Sequence, residues 1–183
     1  DIYIRKGNAF SRLTNISAEF LAPLKPIYVK GFEAISSDNN KVSGILYLPD
    51  STAKNLPLVL FIHGGPVAQD EYAFDMSRQI LAGAGFAVAA VNYRGSSGRG
   101  LLYTKAIYGD WGNKEVKDII GVADHLIKTG VADADKLGIG GWSYGGILTN
   151  YTIATDKRFK AAVSGAGSSL QTSMYGSDQY ITQ

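Results

Sequence analysis

Cysteine is absent from this chain, which rules out a disulfide framework and any thiolate nucleophile or thiolate metal ligand. Its absence does not assign a compartment. Nor does the start at Asp1, which shows neither a methionine nor a charged-then-apolar leader. Long hydrophobic runs are missing too. Leu56 to Ile62 and Phe86 to Val91, the longest, fall far short of the roughly 20 residues a spanning helix needs, so no membrane partner is expected. Blocks of one charge are lacking. Lys and Arg meet only in pairs such as Arg5-Lys6 and Lys157-Arg158, and the formal charge is +2, so no nucleic-acid-binding face is expected. What remains is an ordinary globular balance: 183 residues, 45% apolar and 19% charged, enough for one full-sized core and without signs of disorder or repeats.

Residues 1 to 25 offer one alternating stretch, Asp1 to Arg5, and a second candidate at Arg12 to Asn15, followed by the loop-like Ala22 to Pro26. That is too little apolar surface for a core of its own, so the segment is expected to pack on something else. Ile27 to Ile35 and Val42 to Leu48 alternate around the turn-rich Ser36-Ser37-Asp38-Asn39-Asn40 and predict a hairpin. From Leu58 the texture changes. Leu58 to Ile62 is continuously apolar, as in a strand covered on both faces. The spacing of Phe74, Ile80, Leu81 and Ala84 predicts a helix over Tyr72 to Ala84, and Phe86 to Tyr93 a second covered strand. A Gly-rich connection, Arg94 to Gly112, leads to an amphipathic helix with Val116, Ile119, Ile120, Ala123, Leu126 and Ile127 on one face, Asn113 as its N-cap and Gly130 as its stop. A strand over Leu137 to Gly141, a helix from Gly145 to Ala154 and a strand over Lys160 to Ser164 complete the alternation. The pattern βαβαβαβ is that of a doubly wound α/β sheet preceded by a hairpin. No further strand is expected after Gly165, which leaves the apolar Lys160 to Ser164 with a bare edge.

The chemistry concentrates at Gly141-Trp142-Ser143-Tyr144-Gly145, a Gly-x-Ser-x-Gly placed between a strand and a helix. This is the context of a nucleophile elbow, where a side chain at 141 or 145 would crowd the adjoining elements. Ser143 is then the candidate nucleophile. His63-Gly64-Gly65-Pro66 follows an earlier parallel strand and has two readings: an ordinary strand-ending turn, or a loop that turns backbone N–H groups toward a substrate. In the second reading Gly65 and Tyr144 each donate one N–H to an oxyanion hole.

Other motifs fare less well. Asn92 to Gly100 has the glycines of a phosphate cradle but no Gly-Lys-Ser/Thr ending. Gly138-Ile139-Gly140 resembles the start of a dinucleotide fingerprint, yet Ser143 stands at its third glycine and no acidic residue closes the strand at Val163-Ser164. No cofactor and no metal are therefore expected. His125 lies within the amphipathic helix and His63 opens the glycine loop, so neither is a comfortable general base. A serine hydroxyl without a base is a poor nucleophile.

Taken together, His63-Gly64-Gly65-Pro66, Asn92-Tyr93-Arg94-Gly95-Ser96-Ser97-Gly98, Asp110-Trp111-Gly112 and Gly140-Gly141-Trp142-Ser143-Tyr144-Gly145-Gly146 resemble the prolyl oligopeptidase family of serine peptidases, in its acylaminoacyl-peptidase and dipeptidyl-peptidase-like branch. The resemblance runs from about Ile27 onward. It implies an α/β-hydrolase fold, mostly parallel with helices on both faces, over residues 26–183 as the N-terminal part of a catalytic domain. Residues 1–25 would be the tail of an N-terminal β-propeller. It implies hydrolysis of short peptides through an acyl-enzyme on Ser143, with Gly65 and Tyr144 at the oxyanion hole and Gly141 and Gly145 as elbow glycines. In the family the triad acid and histidine follow the serine, and here they are expected beyond residue 183. These 183 residues alone are thus expected to be inactive, with the missing C-terminal part of the domain as their partner. A carboxylesterase, a non-catalytic binding module on the same fold, and association into a homo-oligomer stay open as alternatives.

Overall fold

A computed structural model describes residues 1–174; the expected absence of a strand over 175–183 lies outside the described residues. The chain opens with β1 (Tyr3–Lys6) and β2 (Ala9–Arg12), a separate antiparallel pair, and a short helix α1 (Ala18–Leu21). The second strand begins earlier than the expected Arg12 to Asn15, because Gly7-Asn8, with Gly7 at φ 61°, turns the chain in two residues and pairs Tyr3 with Arg12. Every residue of this pair is exposed.

The hairpin follows as β3 (Tyr28–Ile35) and β4 (Lys41–Leu48), then β5 (Leu56–Ile62), α2 (Met76–Gly83), β6 (Ala87–Asn92), α3 (Leu101–Thr104), α4 (Lys114–Lys128), β7 (Ala132–Trp142), α5 (Tyr144–Thr155) and β8 (Phe159–Gly165). Among the described residues these strands form one six-stranded sheet in the order β3-β4-β6-β5-β7-β8. Strands β6, β5, β7 and β8 are parallel, and β4 joins β6 antiparallel, so the hairpin extends the sheet rather than merely preceding it.

Alternation along the strands decides which helix covers which face. Leu58, Leu60 and Ile62 point from β5 into the larger core with Ile119, Leu126 and Leu148 of α4 and α5. On the other face Ile45, Tyr47, Val88 and Ala90 pack under Ala82 of α2. Strand β6 serves both cores, and Ala87 to Val91 are fully buried. A buried Leu or Ile contributes about 1.5–3 kcal/mol, and Ile119, Val122 and Leu126 form the stripe that α4 turns into the larger core.

Four expectations need correction. Helix α2 starts at Met76 rather than Tyr72, because Asp75 caps it by accepting the Arg78 N–H at 2.9 Å. Phe74 and Ile80, expected on its inner face, are 62% and 60% exposed, while Arg78 turns inward. Apolar spacing cannot see a buried arginine, which is made tolerable here by Asp70 and by the ring faces of Tyr47 and Phe61. Asn113 does not cap α4; its amide donates to the Asp110 carboxylate. Strand β7 begins at Ala132, five residues before the expected Leu137, with an irregular register between Leu56 and Leu58 of its partner.

The order of the strands fixes the place of a site. From β5 the chain steps to β6 on one side, and α4 then carries it back to β7 on the other side of β5. At such a reversal the loops leaving the carboxyl ends diverge and open a crevice. His63 leaves β5 there, and Ser143 leaves β7, with Ile62 paired to Gly141 in the last rung.

Candidate active site

Ser143 is the single residue between β7 and α5, held at φ 56° and ψ −121°. A non-glycine residue in such a region is strained by about 1–3 kcal/mol and persists only where its surroundings insist. Two hydrogen bonds insist here: the Ser143 N–H donates to Gly165 O at 2.9 Å, and Ser143 O accepts from the Ile147 N–H at 3.0 Å. The side chain is left exposed, and its hydroxyl has no hydrogen-bond partner among the described residues. The turn closes only because of its glycines. A Cβ at Gly141 would stand 2.4 Å from Ile62 O, and one at Gly145 2.1 Å from the same atom.

The loop after β5 presses on this turn. A Cβ on Gly64 would lie 3.0 Å from Trp142 O and 3.4 Å from Ser143 Cβ, so only glycine lets the two backbones meet comfortably. Gly65 comes next, at φ 128°. Neither the Gly65 N–H nor the Tyr144 N–H has a hydrogen-bond partner among the described residues.

Beneath the turn stands a column of rings. Tyr144 is buried, with the edge of Trp111 at 4.9 Å between centroids and Tyr93 at 6.2 Å. Tyr93 stacks on His63 at 4.4 Å and donates its hydroxyl proton to His63 O at 2.8 Å. The Tyr144 hydroxyl donates to Glu115 Oε1, which also accepts the Gly112 N–H at 3.3 Å. Glu115 is fully buried and its Oε2 has no partner among the described residues. Burial raises the Glu115 carboxyl above its usual range and keeps both tyrosines protonated. The same cause lowers His63, so its ring is neutral near pH 7. His63 Nδ1 faces Gly64 O at 2.8 Å and must carry the proton; Nε2 then accepts from Ser96 Oγ at 2.9 Å.

A sequence profile described as the prolyl oligopeptidase family matches residues 72–183. The chain belongs to the prolyl oligopeptidase family. It is 38% identical over 157 residues to dipeptidyl aminopeptidase BIII of Pseudoxanthomonas mexicana, covering 80% of this chain and 22% of that protein. To the acylamino-acid-releasing enzyme of Arabidopsis thaliana it is 34% identical over 142 residues, covering 76% of this chain and 17% of the relative. The solved structure of Pyrococcus horikoshii acylaminoacyl peptidase matches with a TM-score of 0.86 at 28% identity, over 98% of this chain and 29% of its own. The shared fold is the α/β-hydrolase fold, and the chain spans 22% and 17% of the length of the two curated relatives.

In this member of the prolyl oligopeptidase family, Ser143, Tyr144, Gly141 and Gly145 meet at the β7-α5 junction, and Gly64 brings the Gly65 loop beside them. Trp142, the residue before Ser143, is 71% exposed and lies against Gly165. His125 stacks on Phe32 at 6.3 Å, on the far end of α4. Sequence reasoning passed over Tyr93, Ser96 and Glu115. For Glu115 a signal was available: it falls on the stripe of Ile119, Val122 and Leu126, at i, i+4, i+7 and i+11, where a carboxylate has no business unless something holds it.

Proposed function

We propose that the intact protein is a serine peptidase that cleaves short peptides through an acyl-enzyme on Ser143. The observation carrying this reading is the exposed Ser143 hydroxyl on a strained strand-to-helix turn, beside two N–H groups without partners among the described residues. Ser143 Oγ attacks the scissile carbonyl carbon and gives its proton to a histidine. The carbonyl oxygen becomes an oxyanion, held by the Gly65 and Tyr144 N–H groups; one such donor is worth about 10²–10³ in rate. The C–N bond breaks, the amine leaves with the proton, and water then hydrolyses the ester to free Ser143.

His63 is a poor choice of base, because both its ring nitrogens are engaged by Gly64 O and Ser96 Oγ. The histidine and its acid are supplied by a part of the intact protein outside these 183 residues. Residues 1–25, whose Ile2, Tyr3 and Phe10 are exposed, are the tail of a β-propeller that gates the site by substrate size, and residues 26–183 form the first part of the hydrolase domain. Relatives named for releasing dipeptides and acylamino acids favour substrates read from one end, over a general esterase.

A fluorophosphonate probe on the intact protein tests the reading. It should label Ser143, and labelling that survives Ser143→Ala sinks it. Turnover of blocked and free-amine peptide amides, set against simple esters, separates the peptidase from a carboxylesterase; cleavage of esters alone would favour the latter.

A further inference from the structure

Glu115 poses a question that the acyl-transfer steps leave unanswered. Its carboxyl is fully buried, one oxygen has no partner among the described residues, and burial alone would favour an apolar residue at this point of the α4 stripe. The other oxygen accepts from the hydroxyl of Tyr144. Tyr144 is both the first residue of α5 and the residue whose N–H the acyl-enzyme reading aims at the oxyanion. Its ring is a lever about one side chain long, attached at that N–H. The lever is wedged against Trp111 and Tyr93, and its tip is fixed by Glu115. Tyr93 in turn bonds His63 O, at the entry to the Gly64-Gly65 loop. One buried column thus touches the supports of both N–H donors.

We propose that Glu115 is a positioning residue: through the Tyr144 hydroxyl it sets the direction of the Tyr144 N–H toward the oxyanion. This rests on the reading that Ser143 is the nucleophile. An oxyanion donor acts in the transition state rather than on bound substrate, so a misaimed donor lowers kcat and leaves KM nearly unchanged. Glu115 reaches the reaction only through Tyr144. Removing either end of the hydrogen bond should therefore have a similar effect, and removing both should cost no more than the worse single change.

The test uses the intact protein, with rates normalised to the fraction of molecules that a fluorophosphonate titrates, which confines the comparison to folded sites. Glu115→Leu and Tyr144→Phe should each lower kcat about 10- to 100-fold on a peptide amide, a part of the loss expected for a deleted donor. KM should move less than about 3-fold, the double variant should match the worse single one, and Glu115→Gln should recover most of the loss by keeping an acceptor on the tyrosine. If Glu115→Leu does not fold, Tyr144→Phe breaks the same hydrogen bond from the other end and decides alone. Unchanged kcat per titrated site in Tyr144→Phe, or fully additive losses in the double variant, overturns the positioning role. Activity that persists in Ser143→Ala overturns the nucleophile and the positioning role together. Activity lost in Ser143→Ala but untouched by the Tyr144 and Glu115 changes overturns the positioning role alone.

Discussion

Ser143 and Arg94 leave the two parallel strands that flank β5, at the same end of the sheet, and they are built in opposite ways. Arg94 is saturated. Its guanidinium donates to Asp118 at 2.8–3.1 Å, to Asp38 at 2.8 and 3.0 Å and to Lys114 O at 2.9 Å, and its own N–H is taken by Asp118 at 2.7 Å. Ser143 has a strained backbone and a hydroxyl without a partner among the described residues. The first arrangement pins the hairpin turn, the loop after β6 and α4 to one another. The second holds open what on the proposed reading are the reactive groups, at a cost in stability that packing elsewhere offsets. On the proposed reading stability and reactivity are thus separated along one rim, and substitutions should separate in the same way.

The largest effect should come from Ser143. In the intact protein Ser143→Ala should lower peptide turnover by about 10⁴- to 10⁶-fold while hardly moving the unfolding midpoint. Ser143→Gly sharpens the contrast. Glycine accepts φ 56° freely, so this variant should be equally inactive yet more stable by about 1 kcal/mol in urea unfolding. A loss of stability in Ser143→Gly would mean that the turn is relaxed and the comparison with Arg94 is wrong.

Next comes Arg94. Arg94→Ala strips the partner from Asp118, whose side chain is fully buried, and breaking such a pair costs about 3–5 kcal/mol. The denaturation midpoint should fall sharply, while fluorophosphonate labelling of the molecules still folded stays at the parent rate. A slowed labelling rate with an unchanged midpoint would reverse the roles given to the two positions.

Gly145→Ala lies between the two regions. Its Cβ would meet Ile62 O at 2.1 Å, an atom of the sheet that has nowhere to go, so α5 must shift away from β5. We expect a loss of about 1–3 kcal/mol, the usual cost of overpacking, together with slower labelling of Ser143. Effects on stability and on reactivity in one variant would mark the elbow as the point where the two functions of the rim join.

How far the sequence disclosed this plan depends on what kind of signal each part leaves. Runs such as Leu58 to Ile62 and Phe86 to Val91 announced the covered strands because burial on both faces admits little else. The elbow was legible because steric exclusion leaves glycine as the residue at 141 and 145. Pairing of β4 with β6 was not legible, since a hairpin's own alternation says nothing about which neighbour it joins. Buried charge was the other blind spot. Arg78, Arg94, Glu115 and Asp118 are held by partners such as Asp70, Asp38 and Tyr144, which lie 8, 56 and 29 residues away in the chain, or by rings, and such partners have no period to read.

The smallest predicted effect tests the outer end of the Arg94 cluster. Asp38 is held to about 2, first by its hydrogen bonds from Arg94, with a further contribution from Ser36 and against a partial burial that acts the other way. Its folded value lies below the unfolded one of 3.8, so its stabilisation is complete above that value and is lost as the pH falls from about 4 toward 2. The Asp38 side chain is 33% exposed, so solvent and salt screen much of the interaction. Asp38→Asn should therefore flatten the fall in stability between pH 4 and pH 2, measured as urea midpoints across that window, and the difference should shrink in high salt. Asp118, pushed upward by burial against the pull of Arg94, is present in both proteins, so the difference between their slopes belongs to the Asp38 side of the cluster. Parallel slopes in the two proteins would confine the stabilising part of the cluster to the buried Arg94–Asp118 pair and leave the hairpin turn outside it.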